Sequence, residues 1–284
     1  MDLTTWTDGL YAGSVYALIA LGLAIVHQPT RVVNFAQGEA LVLGAIVGYE
    51  VLSVQGWGWA AALVLAAVAG LAMGVAQERL IMLPVRLSGS RFAWIIATLA
   101  VAMVAQSLYL INFSGDVLRP AAMISGSVHG VAWQKILVIA VALAIVAGYD
   151  LFLHRTWHGR AIRAAAHDPD TASLLAIPVR RVVVASFAIS CCITTVAGLI
   201  AAPVLFVGPA DGLLFAVKGF IAAVIGGIGS PRGALAGGLV VGLLDSLVAA
   251  NVGAATGSIV VYLALGAILV AFPAGLFGKP MEGH

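Results

Sequence analysis

Residues 154–181, HRTWHGRAIRAAAHDPDTASLLAIPVRR, form a basic segment between two long apolar runs. The segment contains five arginines, three histidines and two aspartates. A membrane protein needs only a short connection to turn its chain between two spans. A longer basic segment that carries its own helix start and stop signals indicates a docking surface on the cytoplasmic side. It therefore predicts a transport subunit that a separate partner drives.

The rest of the chain has the composition of a polytopic α-helical membrane protein. It is 62% hydrophobic and 9% charged, with a mean hydropathy of +1.09, whereas about 25% of the residues of a soluble domain are charged. Residues 56–77, 92–112 and 182–210 contain no charged side chain. Each stretch is long enough for the ~20 residues that a helix needs to cross the bilayer. A soluble helix would show a polar face, and these stretches are apolar all round.

Nine apolar blocks are predicted to span the membrane. They lie at 9–28, 36–54, 57–77, 92–112, 134–153, 183–202, 213–229, 231–249 and 256–276. The block 213–229 is short and rich in glycine, so it also fits a re-entrant half-helix. In that case the chain would cross eight times and the side of its C-terminus would change. Nine crossings are the favoured prediction.

The distribution of basic residues predicts the orientation. The connector 78–91 and the segment 154–181 are rich in arginine, which places both in the cytoplasm by the positive-inside rule. The N-terminus then lies outside, in agreement with Asp2 and Asp8 and the absence of basic residues there. Without basic residues, this segment also lacks the positive region of a cleavable signal peptide. On the nine-span model eleven of fourteen basic residues are inside. The three on the outer side are Arg119, Lys135 and Lys218.

The basic segment itself predicts two short helices. Trp157 to His167 has an amphipathic pattern, with Arg160 and Arg163 one turn apart on one face. Asp168 followed by Pro169 is typical of an N-cap followed by the first helical residue, so a second helix is expected to begin there.

The second helix is predicted to end at Ile177, because Pro178 disfavours helix at the residue before it. Leu174, Leu175 and Ile177 are expected to bury against the partner. The alternative is a basic loop that lies on anionic lipid headgroups. Aspartates in the middle of the segment and an apolar cluster after them fit that alternative poorly.

Three stretches resemble one known family. GRAIRAAAHDPDTASLLAIPVRRV (159–182) resembles the cytoplasmic coupling segment of the binding-protein-dependent ABC permeases of the branched-chain amino acid class. Residues 13–45 and 213–247 resemble the N-terminal and C-terminal signatures of that family. RVVNFAQGE at 31–39 is more similar to the H-type (LivH-like) permeases than to their M-type partners. The matching positions there are Arg31, Asn34, Phe35, Gly38 and Glu39. Ala176 replaces the usual glycine before Ile177, and residues 27–29 are less typical.

The resemblance implies an all-α permease, with 1–284 as one transmembrane domain and 154–182 as its cytoplasmic coupling segment. It implies a multi-pass protein of the bacterial inner membrane. The expected partners are ABC ATPase subunits, a second permease of M-type and an extracytoplasmic solute-binding protein. The expected substrate is a branched-chain or related amino acid, while sister permeases carry urea, short amides and other small solutes. The residues expected to engage the ATPase are Arg160, Arg163, Asp168, Pro169, Leu174, Leu175 and Ile177.

The motifs that an enzyme would need are missing from the sequence. A Walker A loop needs GxxxxGK[ST], and none of the three lysines stands in that context. ATP is therefore expected to be hydrolysed by another subunit. There is also no Ser/His/Asp nucleophile set and no HExxH motif, so no catalytic residue, cofactor, metal or nucleic acid is predicted. A stand-alone secondary transporter or channel is the lower alternative, and such a carrier needs no docking segment.

Acidic residues within the apolar blocks are candidates for the pathway, because each costs about 3 kcal/mol or more in the bilayer unless it is paired or hydrated. Glu39 lies close to Arg31 in sequence, so an ion pair within one subunit or between subunits is expected more than substrate contact. Asp245 is expected either to pack with a polar partner or to line a pore. Glu50 lies near the outer interface, where water would solvate it. The amides expected to contact a zwitterion are Asn34, Gln37 and Asn112.

The glycines divide into two groups. GGIGSPRG at 226–233 indicates a broken helix that lines the pathway or forms a gate, with Gly226, Gly227 and Gly229 as the candidate residues. Four pairs of glycines are spaced four residues apart, which favours close helix packing. These pairs are Gly44/Gly48, Gly70/Gly74, Gly233/Gly237 and Gly238/Gly242.

Overall fold

The computed structural model describes residues 3–88, 92–113, 115, 117–128, 130–253, 259–260 and 262–263. The helices are α1 Leu3–Thr30, α2 Gln37–Gly48, α3 Trp59–Ser88, α4 Ala93–Phe113, α5 Trp133–Arg155, α6 Trp157–His167, α7 Pro169–Leu174, α8 Val179–Leu205, α9 Gly212–Gly226 and α10 Pro231–Val252. A π-helical stretch, Tyr49–Val54, continues α2. Two short antiparallel strands, β1 Ser127–Val128 and β2 Val131–Ala132, precede α5.

The predicted fold class, an all-α polytopic membrane protein, is confirmed. Within the described residues seven helices are long and apolar enough to cross a membrane: α1, α2 with its π-helical continuation, α3, α4, α5, α8 and α10. Helix α9 is apolar but has 15 residues, which is short for a full crossing. The predicted ninth span, 256–276, lies outside the described residues except at 259–260 and 262–263. Eight or nine crossings therefore stays a prediction.

One predicted boundary is wrong. The connector expected at 78–91 is helical as far as Ser88, because α3 continues well beyond the predicted end of its span. Ile81 is buried against Val26 and Phe187, and this contact extends the packed face of α3. Arg79 therefore lies on a helix, where it forms an ion pair with Glu78 at 3.3 Å. The charges of Glu78 and Arg79 ended the span in the sequence prediction, while packing of Ile81 on the opposite face prolongs the helix.

Glycines allow the central helices to pack backbone to backbone. Helix α1 lies in the middle of the bundle and packs on α5, α8, α9 and α10. A Cβ on Gly242 of α10 would lie 2.1 Å from the Gly13 nitrogen of α1, and one on Gly44 of α2 would lie 1.9 Å from the Thr195 oxygen of α8. Seven of the eight glycines in the predicted pairs meet the backbone of a neighbouring helix in this way, and Gly48 meets the Leu199 side chain of α8, which confirms their packing role.

The helix break predicted at 226–233 is also confirmed. Gly227 and Gly229 have φ angles of 90° and 95°, a backbone conformation that residues other than glycine rarely adopt. Ser230 then caps α10 by accepting a hydrogen bond from the Gly233 amide, with Pro231 as the first helical residue. The result is an α9–α10 hairpin, closed where Gly226 meets Gly233.

The helix bundle has two different ends, and each of the two sites described below lies at one of them. The coupling end is the end that carries residues 156–178, between the end of α5 and the start of α8. The far end carries residues 117–128, 130–132 and 206–211, which meet where the Leu118 amide donates to the Val207 carbonyl at 2.9 Å.

Candidate functional site

Helix α6 lies on the coupling end with one face packed and one face exposed. Thr156 caps it by accepting a hydrogen bond from the Gly159 amide at 3.0 Å. Gly159, Ile162 and Ala165 are buried, whereas Arg160 and Arg163 are exposed. The predicted bounds, Trp157 to His167, and the predicted shared face of the two arginines are confirmed.

Helix α7 begins as predicted. The Asp168 carboxylate accepts hydrogen bonds from the amides of Asp170 at 3.0 Å and Thr171 at 3.2 Å, and also from the Thr171 hydroxyl. Pro169 occupies the first helical position. The Thr171 hydroxyl and these amides hold the pKa of Asp168 below its usual range, because they stabilise the charged form. The predicted cap is therefore confirmed.

Helix α7 does not end at Ile177 as predicted, but at Leu174. Ala176 has a φ angle of 59°, so the backbone turns into the left-handed region before it reaches Pro178. The Ile177 amide then donates to the Ala172 carbonyl at 3.1 Å, which closes the turn. This is the position where glycine is usual in the family that the sequence resembles, and an L-residue is strained there. Ile177 packs partly against the core of the bundle.

The exposed part of α6 and α7 is a mixed basic and apolar surface. Leu174 is 86% exposed, Leu175 is 70% exposed and Trp157 is 71% exposed. The Arg160 guanidinium lies 5.3 Å from the centre of the Trp157 ring. We call Trp157, Arg160, Arg163, Leu174 and Leu175 the coupling surface. Monomeric proteins seldom expose several large apolar side chains on one rigid element unless a partner covers them.

The connection between α1 and α2 reaches the coupling helices. The Arg31 guanidinium donates to the Ala166 carbonyl at 3.0 Å, at the C-terminal end of α6. The predicted ion pair between Arg31 and Glu39 within one subunit is therefore wrong, while a pair between subunits stays a prediction. Arg31 has a φ angle of 58°, and the chain turns there so that its side chain stays exposed while Glu39 enters the bundle, where it is 1% exposed. Within the described residues neither carboxylate oxygen of Glu39 has a hydrogen-bond partner.

A buried polar network holds the segment between α1 and α2. The Asn34 amide donates to Gln77 at 2.7 Å, and Gln77 donates to the Ala36 carbonyl at 3.1 Å. Gln37 donates to the Thr194 hydroxyl at 2.6 Å. Asn34 and Gln37, both predicted pathway residues, therefore bind protein groups in this structure. Gln77 was not predicted. Its signal was a polar residue at the end of an otherwise apolar block.

The remaining pathway candidates lie in separate places. The Glu39 carboxylate lies at the start of α9, where a Cβ on Gly212 would be 2.2 Å from one of its oxygens. Gly226, Gly227 and Gly229 belong to the α9–α10 turn, which Gln28 of α1 holds by donating to the Gly229 carbonyl at 2.6 Å. Asn112 donates within its own helix, to Leu108. Glu50 lies on the π-helical stretch and is partly exposed.

Asp245 has charged and polar partners on two neighbouring helices. Lys218 of α9 donates to its carboxylate at 2.7 Å, and the Tyr16 hydroxyl of α1 donates to the same oxygen at 2.9 Å. Lys218, which was counted as an outer charge, is 8% exposed inside α9 and also contacts Tyr16 at 3.1 Å. That assignment was wrong, because a paired lysine within a helix is not a loop charge. Nothing in the local sequence links Lys218 to Asp245.

Comparison with known proteins identifies the family. Residues 5–272 match the model of the family described as "Branched-chain amino acid transport system / permease component". The chain is 31% identical to the high-affinity branched-chain amino acid transport system permease protein BraD of Pseudomonas aeruginosa, over 96% of this chain and 94% of that protein. It is 32% identical to the corresponding permease LivH of Escherichia coli K12, with the same coverage.

A solved structure supports the fold. The chain is similar to a chain of PsaBC from Streptococcus pneumoniae, solved in complex with Fab, with a TM-score of 0.51 and 14% identity. The similarity covers 97% of this chain and 93% of that chain. At this level of identity the likeness concerns the fold alone. The family match and the two permeases carry the assignment: the chain belongs to the family of permease components of branched-chain amino acid transport systems.

Proposed function

We propose that the whole chain acts as one transmembrane permease domain of an ATP-driven importer for branched-chain amino acids. Its coupling end faces the cytoplasm of a bacterium, its N-terminus lies outside, and an ABC ATPase docks on the coupling surface. The observation that carries the docking proposal is the pair of capped helices that expose Trp157, Leu174 and Leu175. The family implies an ATPase, another permease and a solute-binding protein as partners in general terms. An M-type second permease is our specific expectation.

Energetics support a protein partner at this surface. Full burial of one leucine side chain contributes about 2 kcal/mol, so two exposed leucines provide a substantial apolar anchor. The helices that carry them are fixed by the caps at Thr156 and Asp168. Because the surface is already ordered, a partner loses little conformational entropy on binding. Arg160 and Arg163 add positive charge that favours an acidic rim on the ATPase.

The substrate proposal is based on the relatives. BraD and LivH are named as permeases of high-affinity branched-chain amino acid transport, and similarity to them extends over nearly the whole chain. Urea and short amides are the alternative substrates, as for sister permeases. A stand-alone carrier is the weaker alternative, because it would give the coupling surface no role.

Reconstitution tests the function. Proteoliposomes should contain this permease, its second permease, the ATPase and the solute-binding protein, with labelled L-leucine as the substrate. We expect accumulation against a gradient only with ATP and all four components, and competition by isoleucine and valine but not by urea. Accumulation by the permease without any ATPase would contradict the proposed energy source. Competition by urea alone would contradict the proposed substrate.

A further inference from the structure

A cleft of about 490 Å³ opens at the far end of the bundle. Helices α1, α5, α9 and α10 contribute to its walls, together with Val204 and Phe206 at the end of α8. Lys135 lies in the first turn of α5 and Val204 in the last turn of α8, and the coupling segment joins the opposite ends of these two helices. The cleft therefore lies at the end of the molecule away from the coupling surface. Its volume falls within the range of ligand pockets, about 300–1,000 Å³.

Two opposite-charge pairs line this cleft. Asp8 of α1 forms an ion pair with Lys135 of α5. Asp245 of α10 forms the pair with Lys218 of α9 at 2.7 Å. The hydroxyl of Tyr16 contacts both members of the second pair and fixes their orientation. The four charges sum to zero, so the cleft offers two anionic and two cationic groups at no net charge.

Val204 and Phe206 form an apolar part of the remaining wall, and the backbone at Phe206 is unusually constrained. Phe206 has a φ angle of 51°, a left-handed conformation that is uncommon for an aromatic residue and costs free energy. Its ring is stacked under the Arg119 guanidinium at 4.4 Å. The Leu118–Val207 backbone hydrogen bond holds the next residue. Strain of this kind persists where the surroundings fix it, and it is concentrated at binding sites.

We propose that this cleft binds a zwitterionic α-amino acid as it enters the permease. The substrate ammonium binds a carboxylate of one of the two pairs, its carboxylate binds a lysine of the pairs, and its aliphatic side chain lies against Val204 and Phe206. The inference rests on the proposed function, since it assigns a site to the amino acid substrate. We call Lys218 and Asp245 the inner pair. Stability alone gives a weak reason for this pair, because a buried ion pair can often be replaced by apolar residues without loss of folding stability.

The test compares ways of changing the inner pair in the complete reconstituted transporter. Lys218→Met with Asp245→Leu removes both charges and leaves no unpaired ion. Lys218→Asp with Asp245→Lys keeps an ion pair but reverses its polarity. A purely structural pair tolerates the reversal, whereas a zwitterion site does not. The matched control is Asp150→Leu with Arg232→Met, which removes an ion pair of 3.0 Å at the coupling end.

We expect both cleft variants to assemble with the ATPase like the wild type and to lose leucine uptake about tenfold or more, because charge-assisted contacts to substrate are lost. The control should keep uptake within about twofold, because the Arg232 side chain of this pair is 79% exposed and the loss of such a pair has little effect. Wild-type uptake by either cleft variant would overturn the site while leaving the proposed function intact. Failure of the wild-type transporter to accumulate leucine would overturn the proposed function itself.

Discussion

Single residues determine how the coupling segment is built, and Ala176 shows this most directly. Its left-handed backbone lets the chain leave α7 and reach Pro178, so that α8 begins in the right place. An alanine in this conformation is strained by its Cβ, whereas glycine is not. The departure from the family pattern at this position therefore has a physical cost that substitution can measure.

Replacing Ala176 by glycine should stabilise the turn by about 1 kcal/mol, because the Cβ strain disappears. The measurement is hydrogen exchange of the Ile177 amide, which bonds to the Ala172 carbonyl. Its protection should rise about fivefold. Ala161→Gly, in the interior of α6, is the matched control and should lower stability by a similar amount. Equal effects of the two substitutions would contradict the strain at Ala176.

The cap at Asp168 should depend on pH. The pKa of Asp168 is lowered in the folded segment, by the Thr171 hydroxyl and then by the backbone amides. Its contribution is therefore complete above the ordinary aspartate pKa of about 3.9 and is lost as the pH falls through the lower folded value. Protection of the Thr171 amide should fall in that acidic range in the wild type. Asp168→Asn, which has no charge to titrate, should show no such step.

Helices α6 and α7 together form a rigid platform at the coupling end of the bundle. Capping at Thr156 and Asp168 starts the two helices, and Arg31 binds the carbonyl of Ala166 near the end of the first. The Arg31 contact joins the platform to the segment that Asn34, Gln37 and Gln77 hold in the bundle. A movement of α6 would therefore be transmitted through the Arg31 contact to the start of α2.

Asp168→Lys should disrupt this platform while leaving the transmembrane helices intact. A lysine removes the acceptor for the α7 amides and places positive charge at a helix N-terminus. We expect normal insertion and expression, but weak co-purification of the ATPase and little uptake. Asp168→Ser keeps an N-cap oxygen and should retain most of both. Undiminished co-purification with the lysine variant would favour a headgroup-binding loop.

Sequence reasoning predicted the elements better than the contacts between them. The bounds of α6, the cap of α7 and the break at 226–233 follow from local chemistry, and all three are confirmed. The end of α3 was missed because burial of Ile81 outweighs the charge at Arg79. The partners of Arg31, Lys218 and Asp245 were missed because they lie on helices distant in sequence. Such contacts depend on how the bundle packs, which local patterns do not encode.

For the whole molecule, orientation is a prediction from charge alone. Omitting the buried Lys218 leaves only Arg119 and Lys135 as basic residues on the predicted outer side, which strengthens the bias. A reporter fused before Leu3 should therefore be external. One fused after residue 278 should be cytoplasmic if the chain crosses nine times. Helix α10 runs from the coupling end, where Arg232 pairs with Asp150, back to the far end at Asp245. An external C-terminal reporter would therefore mean that 256–276 does not cross the membrane.

We propose that an ATPase drives this permease through the coupling surface. The most direct measurement is co-purification of the ATPase with a Leu174→Glu, Leu175→Glu permease, together with ATP-driven leucine uptake. Met123→Glu with Ile124→Glu, exposed residues at the far end, is the control for ATPase association. We predict that the leucine variant inserts normally but loses the ATPase and uptake, while the control retains the ATPase. Full ATPase association and full uptake in the leucine variant would contradict docking of the ATPase on the coupling surface.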